Sequence, residues 1–145
     1  MDAKTTGLFA PRANAPAKVI LNTLLSGAVG GIVGAFVKPF VLQTYSHVNK
    51  FDIGSLCNGI LVGLVAITGV AGSCEPWAAF IIGIVGALFY CLGAWICDRF
   101  RIDDPVEATP IHLFGGAWGV IATGIFDNQK GLVSSFEHKG SFFGY

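Results

Sequence analysis

The sequence predicts an all-α membrane protein with four transmembrane helices. Three observations predict it. Of the 145 residues, 53% are hydrophobic and 12% are charged, against roughly 25% charged in soluble domains, and mean hydropathy is +0.66. Four apolar runs, each close to the roughly 20 residues that cross a bilayer core, are separated by short polar or turn-forming segments. Twenty glycines suit helices whose backbones approach closely inside lipid. The formal net charge is zero, so the lipid bilayer, and no nucleic acid, is the expected partner. The length fits one domain.

Residues 1–17 read as an irregular lead, polar and broken by Pro11 and Pro16, without the shape of a signal peptide. Residues 18–145 read as the membrane domain. The first span, residues 19–37, closes on Lys38-Pro39. Lys38 is expected to snorkel to the interface and Pro39 to end or kink the helix. Gly27/Gly31 and Gly30/Gly34 are overlapping GxxxG pairs, a helix-packing face. Asn22, Thr23 and Ser26 are expected to hydrogen-bond between helices. Residues 40–53 form a connection in which His47 is a solvated loop residue. The second span, residues 54–71, repeats Ser55, Gly59 and Gly63 at four-residue spacing, another packing face. Residues 72–76 are a tight turn. The third span, residues 77–96, places Trp77 and Trp95 at its two ends, as an aromatic belt does. The tail from 127 is polar until residues 141–145, an aromatic run that reads as the first turn of a further helix.

The fourth span, residues 105–126, carries the chemistry. Asp104 is a good N-cap, Pro105 suits the first helical position, and Glu107 stands where a capping box places its carboxylate. His112 then lies about 10–12 Å above the helix start, inside a hydrocarbon core roughly 30 Å thick, where an ionisable group is costly and usually functional. Pro110 removes a backbone donor, so a bend below His112 is expected. Asp103, Asp104 and Glu107 are a candidate cation-binding mouth, although helix capping is the favoured role. Gly115/Gly119 is a further packing pair, and Phe114 and Trp118 either pack or line a path. Cys57, Cys74, Cys91 and Cys97 lack metal-like spacing and read as small apolar residues. With no metal site and no nucleophile–base pair in any span, neither an enzyme nor a cofactor is expected. Arg99 and Arg101, in a short loop, belong in the cytoplasm by the positive-inside rule, with both termini outside.

Across Asp103-Asp104-Pro105-Val106-Glu107, Ile111-His112, Gly115-Gly116-Ala117-Trp118-Gly119 and Thr123-Gly124-Ile125-Phe126, the sequence resembles the ammonium transporter / methylammonium permease / Rhesus family. Asn22-Thr23, Asn58-Gly59, Gly63-Leu64-Val65-Ala66-Ile67-Thr68 and Pro76-Trp77-Ala78-Ala79 follow in the family's order. The resemblance implies part of the ammonium transporter fold, with the four spans as its seventh to tenth helices. It implies ammonium or ammonia as substrate, a homotrimer with one pore per subunit, and the plasma membrane. By motif, His112 matches the second of two pore histidines that share a hydrogen bond. A neutral imidazole there would accept a hydrogen bond from ammonia or relay a proton. The partner histidine, the phenylalanine gate and the outer cation-recruiting residues have no counterpart in this chain. Glu107, Pro110 and Leu113 also depart from the usual residues around the pore histidine. The alternative is a non-conducting fragment or an assembly partner of a full-length transporter.

Overall fold

The computed structural model describes residues 10–42, 53–128 and 131–132. Among them, α1 (Ala10–Leu42), α2 (Ile53–Ile67) and α3 (Pro76–Arg99) are followed by a π-helical segment, Thr109–Phe114, that continues as α4 (Gly115–Phe126). Pro16–Phe40, Pro76–Arg99 and Thr109–Phe126 are long and apolar enough to cross a membrane, and α2 is a shorter apolar helix. The expectations for His47 and for the aromatic run 141–145 fall outside the described residues.

In α1 and α2 the boundaries depart from the sequence expectation at both ends of α1 and at the end of α2. α1 begins at Ala10, inside the segment expected to be irregular. Pro11 lies in its first turn, where the missing N–H is no loss, and the helix runs through Pro16. It also passes Pro39 to reach Leu42. α2 stops at Ile67 rather than at residue 71. The Thr68 hydroxyl donates back to the Val65 carbonyl at 2.8 Å, and the chain turns through Val70 N–H to Ile67 O (3.0 Å) and Cys74 N–H to Val70 O (2.9 Å). Such local side-chain bonding competes with helix continuation.

Small residues decide how the helices meet. A Cβ built on Gly30 would lie 2.5 Å from the Gly59 carbonyl oxygen, and one on Gly59 would lie 2.5 Å from that of Gly30. Gly63 of α2 and Gly83 of α3 both abut the Ser26 backbone, and the Ser26 hydroxyl donates to the Gly63 carbonyl at 2.8 Å. Gly27 and Gly31 receive the side chains of Leu64 and Ile60. α4 seats Gly115 on Val62 and Gly119 on the Ala66 backbone. Trp118 is buried, donates its indole N–H to the Ile82 carbonyl at 3.1 Å, and stacks on Phe89 with ring centroids 5.7 Å apart. Asn22 is also buried and donates to the carbonyls of Ala71 (2.8 Å) and Cys74 (2.9 Å), fastening α1 to the turn after α2. The outward faces stay apolar, with Leu24, Ile32, Phe36, Leu88, Leu92 and Val120 exposed, as lipid-facing helices require.

An ion pair ties each end of the bundle. At one end Lys18 meets Glu75 at 2.7 Å, and Asn128 donates to the same carboxylate oxygen at 2.7 Å. The Lys18 hydrogen bond is the main reason the Glu75 carboxyl sits below the ordinary glutamate range. At the other end Lys38 meets Glu107.

Candidate functional site

The connection from α3 into α4 is what places His112. After Arg99 the chain does not enter a helix at Pro105. Residues 102–107 are turn and extended backbone, and helix resumes only at Ala108. Asp104 still serves the helix start: its two carboxylate oxygens accept the backbone N–H groups of Ala108 (3.0 Å) and Thr109 (2.7 Å). The Thr109 N–H is the leading cause that holds the Asp104 carboxyl below its ordinary range. Asp103 is exposed.

Glu107 departs from the capping box that its position suggested. Its φ is 55°, a left-handed backbone that a non-glycine residue adopts only under constraint. That geometry turns the side chain away from the helix start and into the bundle. Oε1 there receives Lys38 Nζ of α1 at 2.5 Å, and Oε2 receives the Tyr90 hydroxyl of α3 at 2.5 Å and Asn58 Nδ2 of α2 at 2.8 Å. Lys38 also donates to the Tyr90 oxygen at 2.8 Å. Three helices therefore converge on one carboxylate. Burial raises the Glu107 proton affinity, but the bonds from Lys38, Tyr90 and Asn58 outweigh it, and the carboxyl lies below its ordinary value.

Two sequence expectations change as a result. Lys38 does not snorkel: it is 7% exposed, because a carboxylate waits for it inside. The three carboxylates also diverge: Asp103 is exposed, Asp104 caps the helix start, and Glu107 turns to Lys38, Tyr90 and Asn58 instead of capping. Asp104 is committed to backbone N–H groups, and both Glu107 oxygens are occupied from within the chain. The sequence signal for the cluster was a lysine in an apolar span, which requires a partner of opposite charge. Tyr90 and Asn58 carried no comparable signal.

His112 stands in the π-helical segment. Pro110, which has no N–H to give, is buried in the same turn, where the coil widens to π geometry. Pro110 and Phe114 pack against Gly93 of α3. At about 1.5 Å per residue, Gly93 lies roughly 9 Å below the last residue of α3, Arg99. The fourth span thus starts late in sequence, with its first turn beside Gly93 rather than at the end of α3. Ile111 points inward at 3% exposure, whereas His112 and Leu113 face out of this chain's own bundle.

Apolar-faced helices that alternate in direction and pack through small residues define a polytopic helical membrane protein. The sequence profile of the Ammonium Transporter Family matches residues 6–144, and the chain belongs to that family. It is 36% identical to ammonium transporter Amt2 of Archaeoglobus fulgidus over 115 residues, 79% of this chain and 23% of that protein. It is 37% identical to ammonium transporter 3 of Dictyostelium discoideum over 122 residues, 83% of this chain and 27% of that one. Its structure is similar to crystalline Saccharomyces cerevisiae Mep2 with a TM-score of 0.66 and 34% identity, across 76% of this chain and 23% of Mep2. The chain spans about a quarter of the length of these relatives.

Proposed function

We propose that residues 18–145 form one wall of a membrane path for ammonium or ammonia, with His112 lining it. The observation that carries this reading is the outward imidazole on a π turn packed beside Gly93, in a chain of the Ammonium Transporter Family. π turns recur at functional sites, and a neutral imidazole offers an acceptor to ammonia and a donor to a proton relay. In this reading Asp103 and Asp104 mark the cytoplasmic mouth, and the glycine faces at Gly27, Gly31, Gly59, Gly63, Gly115 and Gly119 hold the wall together. A homotrimer in the plasma membrane belongs to the same proposal.

A second reading has its own support. His112 meets no facing wall among the described residues. We therefore propose that this chain alone does not conduct, and that it conducts only beside the complementary part of a transporter. Replacing the matching segment of Archaeoglobus fulgidus Amt2 with residues 18–145 tests the pore role. The hybrid should take up methylammonium into liposomes and lose at least about tenfold with His112→Ala. Uptake indifferent to that substitution would remove His112 from the path.

A further inference from the structure

We propose that Lys38 is a positioning residue for His112: through Glu107 it holds the left-handed turn from which the π segment starts, and so sets the direction of the imidazole. Only the consequence for transport rests on the pore reading above; the positioning itself does not.

The argument starts at the backbone. Glu107 and Arg101 are the non-glycine residues with positive φ among the described residues, and Arg101 lies in an exposed turn. A residue in that conformation relaxes unless its surroundings over-determine it. For Glu107 the surroundings are Lys38, Tyr90 and Asn58, one from each of three helices. The Glu107 carbonyl accepts the Ile111 N–H at 3.2 Å, so the residue that begins the turn is bonded directly to the neighbour of His112. The turn is also packed in place: Ile111 is buried together with Tyr90, and Pro110 and Phe114 rest on Gly93. Pro110 donates nothing, and the Asp104 cap reaches only Ala108 and Thr109. The pinned Glu107 carboxylate therefore anchors the start of a segment whose inner side is packed, and a shift at that anchor turns residues 111–113.

Lys38 is the pin that matters most. It is the cation of the cluster, it is buried, and it touches both Glu107 and Tyr90. Without it, a carboxylate faces a cavity in poorly solvated surroundings, where an unpaired charge is strongly unfavourable. The inexpensive response is for residue 107 to leave its strained φ and carry the side chain toward water. That motion turns the first part of the π segment and moves the imidazole.

A purely structural clamp predicts something different, and the molecule supplies the control. Lys18–Glu75 is an ion pair of the same chemistry at the opposite end of the bundle, with no connection to residue 107.

The test uses the full chain in dodecylmaltoside micelles, with histidine labelled in its ring nitrogens and the His112 resonances assigned through His112→Gln. Lys38→Met should displace the His112 signals by more than a linewidth, while Lys18→Met leaves them in place. Lys38→Arg, which keeps the cation, should return them most of the way. In Lys38→Ala, added ethylammonium should restore the native shifts in a saturable manner, because its ammonium group fits between the Glu107 carboxylate and the Tyr90 hydroxyl. Unmoved His112 signals in a helical Lys38→Met protein, or equal displacement by Lys18→Met, would overturn the proposal. Should Lys38→Met fail to fold, Glu107→Gln replaces it under the same two criteria. The readout is the imidazole and not uptake. Loss of the pore reading would thus leave the displacement intact, and loss of the positioning role would leave uptake unexplained but present.

Discussion

At the scale of single residues, the Lys38–Glu107 pair dominates. Burying a charge without a partner is worse than burying two together, and removing one member of a buried pair typically costs about 3–5 kcal/mol. Lys38→Met alone should therefore lower stability by about 3 kcal/mol, whereas the double variant Lys38→Met/Glu107→Met should be appreciably less harmed than the two single effects summed. A double-mutant cycle from denaturant titration in micelles reads the difference. Acid probes the same cluster. The Glu107 carboxyl is held below its ordinary value of 4.5. Its contribution is thus complete above that value and fades as pH falls through the lower folded value. Thermal scans at falling pH should show a loss of stability in that range that Glu107→Gln lacks. Of this cluster, the sequence offered Lys38 as an interface residue and Glu107 as a helix cap, and not their meeting. Glu107 lies 69 positions from Lys38, on a loop whose backbone turns left-handed, and no periodicity or cap rule encodes such a turn.

At the scale of the elements, the glycine faces were legible, because the four-residue spacing of Gly27/Gly31, Gly30/Gly34 and Gly59/Gly63 puts small residues on one side of each helix. The contacts sort them by consequence. Gly30→Ala or Gly59→Ala would press a methyl to 2.5 Å from a backbone carbonyl, which no rotamer change relieves. Each should weaken the α1–α2 contact, with a clear drop in denaturation midpoint. Gly116→Ala and Gly124→Ala meet nothing within 4 Å. They should be neutral or gain up to about 1 kcal/mol from helix propensity. Parallel unfolding curves for the four variants separate the classes. The π segment was only half legible. Pro110 announced an irregularity, but a bend and a widened turn both answer a missing N–H. The widened turn lies on Gly93, whose bare surface admits Pro110 and the Phe114 ring.

At the scale of the whole molecule, the all-helical architecture was legible from composition and run length, and the family from motifs in a fixed order. The late entry to α4 was not, since it depends on the left-handed turn at Glu107 and the bonds its side chain makes to three helices. Liposomes that contain only this chain should accumulate methylammonium no faster than empty ones. Robust uptake that His112→Ala abolishes would show instead that this chain suffices. The Lys18–Glu75–Asn128 tie is solvent-accessible and contributes little, so Lys18→Met should shift the melting temperature only slightly, and less so at high salt.

Where α1 lies on α2, main chain rests on main chain at Gly30 and Gly59, with no intervening side chain to bend or rotate. Two rods in such a joint can neither slip lengthwise nor roll without colliding, so they behave as a fixed keel. The last helix meets that keel differently, through a widened coil at its foot and a tether at one carboxylate.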